Sequence, residues 1–231
     1  MKGEHSGIGA AYHLMQLCDS ALPVGGFSFS CALESAAAQG VVLSLSDVEQ
    51  YVGVVVRQAL LCDGVAALHA MRHAHSVEEL RRADRELYVR KSSAEMRTMS
   101  TRMGCKLAEL VSQMMPCHDV EEWLGLIINH HTPGSYAVTQ GLVFSLCGAV
   151  EQDLFSAVGY GAASMVLGAA LRIVRVTHID TQRILFALAP LVERLYEQAR
   201  EMSLEQMQGF APQMDILSSL HERGVQRMFM S

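Results

Sequence analysis

Charge is scarce in this chain of 231 residues: 18 residues are basic and 24 acidic. The charged fraction of 18% sits below the roughly 25% usual for a soluble domain, while half of the residues are hydrophobic. That balance rules out intrinsic disorder and leaves more apolar surface than a thin polar coat can solvate. Part of the surplus is expected to be covered by partners. A positive balance is missing too: the formal net charge is -6 and the pI near 5.9, which argues against nucleic acid or an anionic membrane as the main target. Six cysteines stand at positions 18, 31, 62, 105, 117 and 147 without a single C-x-x-C pair, the usage of a reducing compartment. The first nine residues lack the apolar core of a secretory leader, so a cytoplasmic location is expected.

Strand signals are absent as well. The Val-rich run Tyr51 to Val56 belongs to a longer pattern that continues through Leu60, Leu61 and Val65, and therefore reads as helix. Helix-start signals recur at Ser46-Asp47-Val48-Glu49, Ser76-Val77-Glu78-Glu79 and Asp119-Val120-Glu121-Glu122, each placing a capping oxygen before a carboxylate. After Ser76 the apolar residues Met96, Met99, Met103, Leu107, Leu110, Val111 and Met114 advance by three or four, and the pattern stops at Pro116. Pro190 predicts a kink or break in a helix spanning about Asp180 to Met202. Two uncharged stretches, Thr132 to Val150 and Leu154 to Leu171, approach the length of a membrane span. Gly, Ser, Thr and Gln dilute both, so they read as core helices of a bundle, with Gly159, Gly161, Ala163, Ser164 and Gly168 allowing close helix approach. Without repeats, linkers or charge runs, residues 1–231 are expected to form one all-α domain. Its N-terminus, about 1–9, is expected to be flexible, and its segment about 211–231 to bind a partner.

No motif for chemistry is present. The chain has no P-loop to wrap a triphosphate, no H-E-x-x-H and no G-x-S-x-G turn, so a non-catalytic role is expected and any nucleotide-dependent step falls to a partner. The ten histidines supply the rival reading, a small metal-binding protein or metalloenzyme. His69 and His73 are four apart on a helix. Cys117-His118 and His130-His131 flank a short helix and could converge on an ion. Asp215 and Glu222, seven apart, read as a solvated helix face. Leu22-Pro23-Val24-Gly25-Gly26-Phe27-Ser28 is the most unusual segment. It is either a helix corner whose Phe27 plugs the core or an exposed aromatic turn that docks a partner. The fourteen methionines read chiefly as adaptable core filler, and Met228, Phe229 and Met230 as an apolar end that needs a cover.

The segment Leu14-Met15-Gln16-Leu17-Cys18-Asp19-Ser20-Ala21-Leu22-Pro23-Val24-Gly25-Gly26-Phe27-Ser28 and its continuation to Glu34 resembles the opening signature of the urease accessory protein UreF family. Glu95-Met96-Arg97 with Ser100, Gly104 and Leu107 is similar to that family's central helix. His131 with Gly141, and Asp180-Thr181-Gln182-Arg183, follow in the family's order. Ala211-Pro212, Asp215-Ile216, His221-Glu222 and Arg227-Met228-Phe229-Met230-Ser231 resemble its closing motif. Phe29 stands where the family often has His or another aromatic, and Ala32 where it commonly has Gly, so this turn offers no imidazole.

The resemblance implies an all-helical, non-catalytic chaperone that helps deliver nickel into the urease apoprotein. It implies a homodimer that joins UreD (UreH in some organisms), recruits the GTPase UreG and influences its GTP cycle. No stably bound cofactor is expected, since nickel is handled by the complex, and neither a membrane nor nucleic acid is an expected partner. The partner-binding residues it implies are Pro23, Gly25, Gly26, Phe27, Arg97, His221, Glu222, Arg227, Met228, Phe229, Met230 and Ser231.

Overall fold

The computed structural model describes residues 7–26, 29–209 and 212–222, with Asp215, His221 and Glu222 described by their backbone alone. Among the described residues twelve α-helices follow one another: α1 (Gly7–Cys18), α2 (Leu33–Ala38), α3 (Leu45–Ala59), α4 (Val65–Arg72), α5 (Val77–Arg90), α6 (Ala94–Met114), α7 (His118–Ile128), α8 (Tyr136–Leu146), α9 (Glu151–Ile173), α10 (His178–Ala187), α11 (Ala189–Ala199) and α12 (Pro212–Glu222). No strand occurs among the described residues, so the fold is all-α. One apolar core runs from Leu17 on α1 to Leu217 on α12. α1 begins at Gly7, inside the stretch expected to be flexible.

Local chemistry explains most boundaries. Ser76 caps α5, its hydroxyl accepting from the Glu79 amide as the sequence predicts. α3 starts two residues earlier than expected: Ser44, not Ser46, is the cap, because Asp47 reaches back to the Ser44 amide at 2.9 Å and to the Leu43 amide at 3.1 Å. Asp119 does not cap α7 either. Cys117 precedes that helix, and Asp119 spends its carboxylate on His75 Nδ1 at 2.8 Å. Leu188 separates α10 from α11, with Pro190 in the first turn of α11, where its missing N–H leaves no bond unmade.

The helix predicted to run from Ser76 to Pro116 is two helices, α5 and α6, broken at Lys91-Ser92-Ser93. Ser93 caps α6 by accepting from the Met96 amide at 3.2 Å. Lys91 enters the protein interior and meets Asp63 at 2.8 Å. Asp63 lies in a π-helical turn, Leu60–Gly64, that joins α3 to α4 and rotates this carboxylate toward the break.

α8 is the hub, packed most extensively on α4 and then on α6. Two glycines make this possible. A methyl group at position 141 would overlap the Ala67 carbonyl oxygen of α4, and one at position 104 would overlap the Gly134 carbonyl oxygen at the entrance to α8. Asp84, fully buried on α5, accepts from Thr132 Oγ1 and the Gly134 amide at 2.6 Å and from the Ser135 amide at 2.8 Å, which ties down that entrance. Close approach on α9 is narrower than expected. Gly159 does lie against Leu60, but Gly161 and Gly168 face open space.

Two segments, Leu45–Arg72 and Glu151–Ile173, are long and apolar enough to cross a membrane, and both are more than half buried within the protein. The first is a composite of α3, the π-turn and α4, and the second is α9.

Gly104→Ala should lower stability by about 1–3 kcal/mol, because backbone rather than a yielding side chain blocks the new methyl. Gly168→Ala should leave stability unchanged or raise it by up to about 1 kcal/mol through helix propensity alone. Urea denaturation midpoints of the two variants check the contrast.

Candidate functional site: a turn, a cavity and an exposed apolar stripe

The turn after α1 is built from local hydrogen bonds. Asp19 Oδ1 accepts from the Ala21 amide at 2.8 Å, the Leu22 amide donates to the Asp19 carbonyl, and Gly25 adopts φ +88. Past the turn the chain holds two consecutive non-glycine residues in the left-handed region, Cys31 at φ 49 and Ala32 at φ 61. Each costs about 1–2 kcal/mol relative to an ordinary conformation. Tyr51 secures the first by donating its hydroxyl to the Cys31 carbonyl at 2.6 Å. Ala32 is also the position where the resemblance leads one to expect Gly, and its φ supplies the physical reason.

The turn covers one side of a cavity of about 280 Å³ bounded by α3, α6, α8, α9 and α12. Its walls are apolar and rich in sulfur, with the Asp63–Lys91 ion pair among the lining groups. Burial disfavours the Lys91 ammonium more than any one neighbour favours it, but Asp63, by charge and hydrogen bond, together with Cys62 and Cys31 lifts the pKa above the ordinary lysine value, so this lysine stays charged. Arg97 packs beside the same break. Its guanidinium donates to the carbonyls of Lys91 and Ser92 and lies 5.8 Å from the Tyr88 ring centroid.

Outside the cavity, α1 presents Ile8, Tyr12 and Met15 at 83, 71 and 73% exposure. Their spacing of four and three residues puts all three on one helix face. α12 splits similarly: Met214, Leu217 and Ser218 turn inward while Ile216 and Leu220 face outward. Leu17 and Cys18 at the end of α1 line the same cavity as Met214 and Ser218 of α12, so the two termini of the described chain meet at one region.

The histidine pairs are engaged in other work. His69 Nε2 pairs with Glu79 Oε2 at 2.8 Å, His73 Nδ1 contacts the His69 carbonyl at 2.9 Å, and the two rings stack 4.3 Å apart. His118 opens α7, an 11-residue helix about 16 Å long, and His130 follows its far end, so the Cys117-His118 and His130-His131 pairs do not converge. Among the described residues no group of three His, Cys, Asp or Glu side chains is placed to hold a metal ion. Pro23, Gly25 and Gly26 lie in the turn. Phe27 and Arg227, Met228, Phe229, Met230 and Ser231 lie outside the described residues, as do the side chains of Asp215, His221 and Glu222.

Residues 42–189 match the UreF family. The chain is 40% identical over 221 residues to urease accessory protein UreF 2 of Brucella canis, covering 95% of this chain and 91% of that protein. It is 38% identical over 218 residues to urease accessory protein UreF of Yersinia enterocolitica, covering 94% of this chain and 96% of that one. The chain belongs to the UreF family. The UreF-like residues quoted from the sequence now have structural roles. Arg97 closes the α5–α6 break, Ser100 Oγ accepts from the Tyr136 amide at 3.3 Å, and Gly104 and Gly141 admit α8. Asp180 completes the capping box of α10 with Thr177. The Asp63–Lys91 pair and Asp84 escaped sequence reading because nothing local in the sequence reveals a partner 28 or 48 residues away. The α1 stripe of Ile8, Tyr12 and Met15 was missed, because Ile8 falls in the stretch, about 1–9, expected to be a flexible terminus.

Burial holds the His69 pKa below its ordinary 6.5, against the opposing effect of Glu79. The unfolded chain therefore binds this proton more readily, and stability should fall as pH drops through about 6.5 and below. His69→Gln should flatten that loss between about pH 7 and 5, as read by thermal melts across the range.

Proposed function

We propose that this UreF-family chain is a cytoplasmic, non-catalytic adaptor in urease maturation. It acts as a homodimer that joins UreD (UreH), recruits the GTPase UreG and influences its nucleotide cycle, so that nickel reaches the urease apoprotein as cargo of the complex. The observation that carries this reading is the α1 stripe: three large apolar side chains on one helix face, each more than two-thirds exposed, form the kind of patch that marks a protein interface. The outward face of α12, with Ile216 and Leu220, extends docking surface at the other terminus, and the Arg227 to Ser231 segment follows α12 in the sequence. Arg227 offers a planar fork of donors, suited to partner carbonyls or carboxylates, while Met228 and Phe229 bring apolar area. The buried ionisable pairs support the same reading, because Lys91, Asp63 and Asp84 spend their charge on each other and on the chain's own backbone.

Tyr12→Asp and, separately, deletion of Met228 to Ser231 should each weaken assembly with purified UreD and UreG by at least about tenfold, or 1.4 kcal/mol, without loss of helical circular dichroism. Complex mass by light scattering, with GTP hydrolysis followed in the same samples, reads the outcome. Undiminished assembly in both variants would refute the adaptor reading. Submicromolar nickel binding by the isolated chain that is lost in His69→Ala or His73→Ala would favour a metal-binding protein instead.

A further inference from the structure

Adaptor function does not account for the sulfur in the cavity wall. Cys31 Sγ lies 3.5 Å from Met165 Sδ, a contact between residues 134 apart in the chain. Met103 and Met165 meet at Gly26. A Cβ built on that glycine would stand 3.9 Å from Met103 Sδ, 3.2 Å from its terminal methyl and 3.5 Å from the methyl of Met165. One thiol and two thioethers, carried by the segment after the turn, α6 and α9, therefore line one cavity, with Cys31 and Met165 in sulfur contact and both methionines closing on the space left by the lack of a side chain at Gly26. The placement of Cys31 is enforced rather than incidental, since its backbone is held at φ 49 by the hydrogen bond from Tyr51. Beside Met165, Ser164 Oγ is buried, without a hydrogen-bond partner, and on a residue that lines the same cavity.

Thiolate and thioether donors are soft, and they select Cu(I) over the imidazole- and oxygen-seeking divalent ions. A metal–sulfur bond of about 2.3 Å places two sulfurs on one ion roughly 3.7–4.6 Å apart, so Cys31 and Met165 need to separate by only a few tenths of an ångström. Methionine, unbranched and with three rotatable bonds, makes that adjustment readily. We propose that Cys31, Met165 and Met103 form a binding site for a soft monovalent cation, Cu(I), separate from nickel delivery and independent of the adaptor role. On binding, the Cys31 S–H bond breaks, its proton passes to solvent, a Cu–S bond forms, and copper stays Cu(I) throughout.

The test is an anaerobic titration of the full chain with Cu(I) in competition with a bathocuproine chelator, joined to copper K-edge absorption. The expected result is one equivalent of Cu(I) with sulfur scatterers alone at about 2.3 Å. Cys31→Ser should lower the affinity by about 10–100-fold, and the volume-conserving Met165→Leu by about tenfold, while Cys105→Ser leaves it unchanged. Failure of the wild-type chain to compete, a nitrogen or oxygen shell, or full affinity in Met165→Leu would each overturn the proposal. Circular dichroism and melting of Met165→Leu separate ligand loss from unfolding should Cys31→Ser fail to fold. Assembly with UreD and UreG, measured without copper, should be the same for Met165→Leu and wild type.

Discussion

The main chain of α8 lies closer to its neighbours than any pair of side chains would permit, and the rest of the bundle is arranged around that contact. Gly141 meets the Ala67 carbonyl of α4 and Gly104 meets the Gly134 carbonyl ahead of α8, so backbone touches backbone on two sides. Close-packed interiors tolerate no extra methylene at such points. Asp84 adds direction to the contact. A buried carboxylate that accepts two main-chain amides and a threonine hydroxyl is satisfied only when Thr132, Gly134 and Ser135 hold one conformation. With α8 held, α6 has one place to go, and its Met96, Met99 and Met103 must face α9 across the cavity.

A second layer of constraint comes from the Asp63–Lys91 pair. Its net contribution to stability is small, because desolvating two charges offsets most of their attraction, but removing one partner alone would leave a buried charge uncompensated, at a cost of about 3–5 kcal/mol. What the pair specifies is register. The π-turn presents Asp63, the α5–α6 break presents Lys91, and Arg97 satisfies the carbonyls that the break exposes. These devices keep the interior rigid, while apolar surface not used inside is displayed on α1 and α12.

The helical architecture was legible because helix periodicity, Ser76 and Pro190 are local signals. What escaped were features set by distant partners. The Ser76 to Pro116 pattern looked continuous because its apolar stripe runs on, but burial of Lys91 against Asp63 breaks the backbone within it. Ser46 and Asp119 carried plausible capping patterns and lost them to better competition, Ser44 with Asp47 in one case and the His75 contact in the other. Glycines on α9 looked like packing devices because spacing alone cannot say which helix face meets a neighbour. Gly104 and Gly141, noticed only through family resemblance, are where the close approach occurs. At the site, the apolar face of α1 went unread because its first turn lies in a stretch expected to be flexible. The left-handed Cys31–Ala32 pair went unread too, since its cause lies in Tyr51, 20 residues on.

The central claim is that a rigid α4–α6–α8 interior carries docking faces at the two ends of the chain. Hydrogen exchange, followed by mass spectrometry on the chain alone and assembled with UreD and UreG, tests it most directly. The account predicts that α4, α6 and α8 are already protected in the free chain and unchanged by assembly, while α1 and α12 gain protection. Exchange that slows in α4, α6 and α8 on assembly, with α1 and α12 unaffected, would contradict it.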